Sequence, residues 1–188
     1  MLLWYIGLAV IVYTLGHSTL TIEDFLTRLG AHGIDAVADV RRFPASRRHP
    51  HFAREPLAER FAARGIAYEW LPALGGRRMP RPDSPHMAWR VEGFRGYADH
   101  METEEFARGV ASLLELASRR TTAVLCAEAL PWRCHRQLLA DALVVRGVTV
   151  RHVTSASAAE PHRLTPFARV ENGRLVYDRA TQGRLPGT

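Results

Sequence analysis

Thr122-Ala-Val-Leu125-Cys126-Ala-Glu128-Ala-Leu-Pro131-Trp-Arg-Cys134-His135-Arg136-Gln-Leu138-Leu139-Ala-Asp-Ala142-Leu143 is the stretch that decides the fold. Thr122 to Leu125 is β-branched and aliphatic, whereas Leu138, Leu139, Ala142 and Leu143 recur at helical spacing until Gly147 stops the pattern. A buried strand therefore runs into a polar loop and then a helix. The loop holds both cysteines of the chain, the Glu128 carboxylate and a Cys-His-Arg triplet that opens the helix. Unpaired N–H groups at a helix N-terminus favour a bound anion and lower the pKa of a cysteine placed there. The chemistry of the protein is expected at this loop.

The same alternation extends outward in both directions. Leu8 to Tyr13 reads as a first buried strand, followed by a helix with Ile22, Phe25, Leu26 and Leu29 on one face and Thr21 and Asp24 as a capping pair. Ala36 to Val40 and Ala67 to Leu71 are further strands, and Pro56 to Arg64 is a helix stopped by Gly65. Thr103 caps a helix carrying Phe106, Val110, Leu113, Leu114 and Ala117, and Val148 to Val153 is another strand. The expected fold is α/β: a single domain with a mostly parallel sheet, flanking helices in Rossmann-like layering, and a C-terminal β-hairpin over Ala168 to Asp178 centred on Asn172-Gly173. The domain is expected over 12–179, with 1–11 as an extension or misassigned start, 180–188 as a tail, and 77–100 as a long functional loop.

With 188 residues, 47% of them hydrophobic, the chain can bury one substantial core. All 25 basic residues are arginine, and against 19 acidic residues they give a net charge of +6, which suits nucleic acid or a phosphorylated small molecule as partner. The same excess also fits an ordinary solvated surface. Two cysteines are too few for a disulfide framework, so a reducing cytoplasmic location is expected. The apolar opening from Met1 to Tyr13 carries no basic n-region, the first basic residue being Arg28, shows no convincing cleavage site, and falls short of the roughly 20 residues a membrane helix needs, so no membrane association is expected. No pattern bears on oligomeric state.

Ligands of open α/β sheets bind beyond the carboxyl ends of the strands. Polar residues gather after four strands here: Gly16-His17-Ser18, Asp39-Val-Arg41-Arg42, Gly75-Gly76-Arg77-Arg78 and Cys126-Ala-Glu128. Cys134 is a candidate nucleophile, with His17, Asp39, Glu128 and His135 as candidate acids and bases. Capping and turn bonding are the structural alternatives for these groups. Arg136, Arg41, Ser18, Arg95, Gly75 and Gly76 are candidate ligand-binding residues. Two basic loops interleaved with aromatics, one around Phe43 and one with Trp89, Phe94, Arg95 and Tyr97, can hold phosphates and stack a base, or can pin loops to the core. No cofactor is expected; zinc held by His17, Cys126, Cys134 and His135 is chemically allowed, though no paired ligand spacing supports it.

The ordered set Thr14-x-Gly-His-Ser18, Asp39-x-Arg-x-x-Pro44-x-Ser46, Leu74-Gly-Gly76, Phe94-Arg-Gly-Tyr97 and Cys126-x-Glu128 with Cys134-His-Arg136 resembles domain-of-unknown-function family 488, from about Val12 to Tyr177. The resemblance implies a compact α/β domain of bacterial cytosolic proteins and names no reaction; it also leaves residues 1 to 11 beyond the usual start. The leading expectation is an enzyme, or an enzyme-derived domain, that binds a phosphate-bearing ligand, nucleotide or nucleic acid, at the strand carboxyl ends. A non-catalytic nucleic-acid-binding or sensing module is the first alternative. A cysteine-based redox protein, with a reversible disulfide between Cys126 and Cys134, is the second.

Overall fold

The computed structural model describes residues 10–45 and 48–178. The extension, the tail, Ser46 and the first residues of the expected opening strand lie outside that range. The elements run β1 (Ile11–Gly16), α1 (Ile22–Ala31), β2 (Ala36–Asp39), α2 (Arg54–Ala62), β3 (Ala67–Trp70), α3 (Glu92–His100), α4 (Glu104–Ala117), β4 (Thr122–Cys126), α5 (Arg136–Val145), β5 (Thr149–Val153), β6 (Ala159–Pro161), β7 (Ala168–Glu171) and β8 (Arg174–Tyr177). Six strands form one sheet in the order β3-β2-β4-β1-β5-β6, parallel except for β6, and β7 pairs with β8 in a separate antiparallel hairpin.

Alternating side chains commit the sheet to two covers. Leu15, Val37, Ala123 and Leu125 pack with Phe25, Leu29, Leu57 and Phe61 of α1 and α2. Val12, Ala38, Val124 and Cys126 point the other way, against Phe106, Leu113, Leu138 and Leu139 of α4 and α5. The result is the three-layer, Rossmann-like α/β arrangement with a terminal hairpin. Local signals set several boundaries. Thr21 accepts a hydrogen bond from the Asp24 amide and Thr103 from the Phe106 amide, each capping its helix. Asn172 and Gly173 both have positive φ, at 49° and 78°, as the tight hairpin turn requires.

Two elements depart from the sequence reading. Residues 92–100, expected within a loop, form α3, and the short antiparallel strand β6 was not anticipated. The segment ahead of α3 is anchored rather than free. The Arg81 amide donates to Asp99 Oδ2 at 2.8 Å, its guanidinium pairs with Glu102 at 2.8 Å, and Tyr97 donates to the Leu74 carbonyl at 2.9 Å. Trp89 packs against Phe94, Phe167 and Tyr177, joining this segment to the hairpin. The second Arg-aromatic loop is therefore packing. Among the described residues no helix is long and apolar enough to cross a membrane.

Candidate functional site

The chain leaves β1 toward α1 on one face of the sheet and leaves the adjacent β4 toward α5 on the other. Neighbouring strands whose connections diverge in this way open a crevice at their carboxyl ends. A cleft of about 300 Å³ lies there, lined by His17 after β1, Arg41, Arg42 and Phe43 after β2, Gly76 and Arg77 after β3, Cys126 and Ala127 after β4, and His135 before α5. Backbone bonds from His17 and Ser18 to the Cys126 and Ala127 carbonyls, at 3.0 and 2.9 Å, extend the β1–β4 ladder and fix the crevice floor.

The cysteines meet at this floor. Sulfur atoms of Cys126 and Cys134 and a ring nitrogen of His135 all lie within 4.8 Å of one another. Cys134 sits in extended backbone between a 3-10 turn (Pro131–Arg133) and α5, with its sulfur 3.6 Å from His135 Nδ1. The Cys134 thiol is pushed well below its ordinary pKa: the Cys126 thiol donates toward it, and His135 and Arg136 add to this against the opposing effect of burial. Cys126 moves the other way, raised by that same partner and by burial. The opposite directions favour thiolate character on Cys134 and the protonated thiol on Cys126. Cys126 lines the cleft and Cys134 stands behind it. Gly76 makes room for the imidazole, since a Cβ there would come within 2.6 Å of His135 Nδ1. His135 Nε2 is buried without a hydrogen-bond partner among the described residues.

The expected acid and base groups mostly have structural partners. Asp39, fully buried, receives Arg41 Nε at 2.8 Å, Arg41 Nη2 at 2.5 Å and the Tyr68 hydroxyl at 2.7 Å. Arg41 Nη1 donates to the Phe52 carbonyl at 2.7 Å and lies 3.4 Å from His17 Nε2. With His17 Nδ1 3.1 Å from the Ser18 carbonyl, the consistent tautomer carries its proton on Nδ1. Burial, with Arg41 adding, lowers the His17 pKa to about 4, so this ring is neutral near pH 7 and a weak base. Glu128 is exposed, and its carboxylate faces the Leu130 amide at 3.4 Å.

Arg136 and Ser18 belong to a second cavity of about 280 Å³, on the β5 side of β1, together with Arg28, Trp132 and His152. The Arg136 side chain is only 1% exposed and donates to the Glu128 and Ala129 carbonyls and, at 3.4 Å, to Thr14 Oγ1. It staples the loop after β4 to β1 and is absent from the main cleft. Gly16 serves the same closure, because a Cβ there would overlap the Glu128 carbonyl oxygen. From Thr14 a buried chain continues: Thr14 Oγ1 to His152 Nδ1 at 2.7 Å, His152 Nε2 to His162 Nδ1 at 3.0 Å, His162 Nε2 to Asp141 Oδ1 at 2.8 Å, and the Tyr177 hydroxyl to Asp141 Oδ2 at 3.0 Å. The chain can be satisfied in one direction, from the Thr14 hydroxyl, which also accepts from Arg136, through His152 and His162 to the Asp141 carboxylate.

Of the expected site residues, His17, Arg41, Gly76 and His135 line one cleft, with Cys134 directly behind it. Ser18 and Arg136 line the other cavity, Arg95 pairs with Glu92 on α3, and Gly75 packs on Pro72 and Arg42. Arg41 and Arg136 direct most of their donors to internal acceptors, while Arg136 Nε is buried without a partner among the described residues. The cations at the cleft mouth are instead Arg42, which donates one bond to the Arg77 carbonyl at 3.0 Å, and Arg77. The zinc set loses His17, leaving three donors beside two buried arginines. Sequence reading grouped Cys126 with the strand-end polar residues but favoured a core role for it, whereas it lines the cleft; the histidine chain it missed.

The family described as "Domain of unknown function DUF488" matches residues 21–143, and the chain belongs to it. The matched span runs from α1 into α5 and contains every element of the main cleft except His17. Neither a curated protein nor a solved structure matches the chain.

Proposed function

For this DUF488 member we propose binding of a phosphate-bearing ligand, a nucleotide or a nucleic acid, in the main cleft, followed by thiol-dependent chemistry on it in the reducing cytosol. One observation carries the reading: the same cleft has a cationic mouth, Arg42 and Arg77, and a thiol-imidazole floor, Cys126 with Cys134 and His135. Phe43, 65% exposed beside the Arg42 guanidinium at 5.8 Å, offers a ring on which a base can stack. The anion would sit between the two arginines, the base on Phe43, and the reacting group over Cys126. His135 would exchange the proton that the sulfur pair holds.

The test is fluorescence anisotropy with short labelled single-stranded oligonucleotides, and calorimetry with nucleotides, across a salt series. Binding should weaken linearly in log salt, and Arg42→Ala and Arg77→Ala should each lower the slope by about one phosphate contact. Absence of binding at low salt to both ligand classes would reject the proposal. The exposed Phe43–Arg42 pair also favours a second reading, a non-catalytic nucleic-acid module. In that case Cys126→Ser and His135→Gln leave binding intact and no turnover of any bound nucleotide is found.

A further inference from the structure

We propose that Cys126 and Cys134 form a peroxide-oxidisable pair that closes into a disulfide at the cleft floor. The sulfurs are already neighbours across an eight-residue separation, one on the last residue of β4 and the other in extended backbone just before α5. The cluster carries an attacking and a resolving sulfur. Cys134 holds the thiolate character, aided by His135 and by Arg136, while Cys126 keeps its proton and faces the cleft. The charge around them favours this chemistry over metal binding. The Arg136 and Arg41 guanidiniums lie within electrostatic reach of the sulfurs and stabilise a thiolate, whereas a divalent cation would meet two fixed positive charges. His135 Nε2 has no acceptor to orient it as a metal ligand.

The reaction balances with hydrogen peroxide as oxidant. The Cys134 thiolate attacks one peroxide oxygen, the O–O bond breaks, and the leaving hydroxide takes a proton from solvent, equal to the one lost when the thiolate formed, giving water and a sulfenic acid at Cys134. Cys126 then loses its proton and attacks that sulfur; the S–S bond forms, the S–O bond breaks, and the hydroxide released takes the proton to become water. Two thiols are oxidised by two electrons in total and one peroxide is reduced to two waters. Closing the bond brings the sulfurs to about 2.05 Å. Cys126 is held by the β4 ladder, with Gly16 as its register partner, so the Cys134 segment is the part that must move. His135 follows Cys134 and lines the cleft, so oxidation reshapes the ligand site. This last consequence rests on the functional reading above; disulfide formation does not.

The experiment treats the full chain with stoichiometric hydrogen peroxide, blocks free thiols by alkylation and reads intact mass and peptides without reductant. The expected result is loss of two hydrogens, a Cys126–Cys134 linked peptide, and full recovery of two alkylatable thiols with dithiothreitol. Cys126→Ser should instead accumulate a dimedone-reactive sulfenic acid at Cys134. The wild-type readout decides the matter even where that variant does not fold. Two alkylatable thiols after peroxide treatment overturn the proposal, as does a sulfenic acid without a crosslink, or protection of the thiols by bound zinc that a chelator removes. Nucleotide binding is measured separately on the reduced and oxidised protein. A disulfide that forms in a protein without nucleotide affinity leaves this inference standing and removes the functional one, and the converse result separates them equally.

Discussion

Two polar clusters flank the carboxyl end of β1, and they differ in how completely their hydrogen bonds are made. On the β5 side, Thr14, His152, His162, Asp141 and Tyr177 form a continuous donor-to-acceptor chain, and the Asp141 carboxylate accepts from His162, from the Tyr177 hydroxyl and from the Thr165 amide at 3.0 Å. On the β4 side, the Cys126 and Cys134 sulfurs and a ring nitrogen of His135 crowd within 4.8 Å of one another, His135 Nε2 has no partner among the described residues, and the group opens onto a cleft. Both are buried and both border a cavity, but only the first has every side-chain polar atom bonded among the described residues. A saturated network fixes architecture, because every buried polar group already has what water would have given it. An under-satisfied one beside a cavity has capacity left for a ligand or a reaction.

The largest expected effect comes from breaking the closed side. Asp141→Ala strands His162, Tyr177 and the Thr165 amide at once and should lower stability by about 3–5 kcal/mol in urea unfolding. A loss under about 1 kcal/mol would mean the chain is not saturated as described. Acid should attack both sides. His17 and His152 each have a pKa lowered from 6.5 to about 4, so both rings are neutral in the fold and take up protons more readily when unfolded. Stability from this source is complete above pH 6.5 and is lost as pH falls toward 4, on the order of 3 kcal/mol for a fully expressed shift of this size. Denaturation midpoints at pH 7, 5.5 and 4.5, repeated on His152→Gln, should show a shallower acid decline in the variant; equal slopes would rule out that histidine.

Gly16 is the partition between the clusters, with the Glu128 carbonyl and Arg136 pressed against it. Gly16→Ala should cost about 1–3 kcal/mol through displacement of that loop, and should also change alkylation at Cys126, its register partner. Unaltered melting and unaltered alkylation would show that the two sides are independent. The smallest stability effect is expected on the open side: Cys134→Ser should shift unfolding by less than about 1 kcal/mol while abolishing the thiol that reacts with iodoacetamide below pH 7. A loss of several kcal/mol there would make the cysteine pair structural and erase the contrast.

Much of the fold was legible because its causes are local. Thr21 and Thr103 cap helices through bonds to amides three residues on, and Asn172-Gly173 adopts the only turn those residues make easily. Strand four and helix five followed from periodicity alone. α3 was not legible: Pro80, Pro82 and Pro85 ahead of it and Gly93 and Gly96 within it read as loop. The helix is held from outside, by Tyr97 on the Leu74 carbonyl and by Gly96 lying against the backbone of Arg78 and Met79. In the site, the Cys-His-Arg triplet was found as a place, but its members were divided between two cavities by the loop that Gly16 admits.

The sequence by itself determined the order and type of most elements, the α/β class, family membership and the strand ends where polar residues gather. These depend on periods of two and 3.6 residues and on caps within one turn. Only the tertiary structure decided that Arg41 is neutralised by Asp39, that Arg136 closes a loop, that Thr14 reaches His152 across 138 residues, and that Cys126 joins Cys134 at the cleft. Whether a charged side chain is a ligand or a brace is set by its buried partners, and those are chosen by packing between segments far apart in the chain.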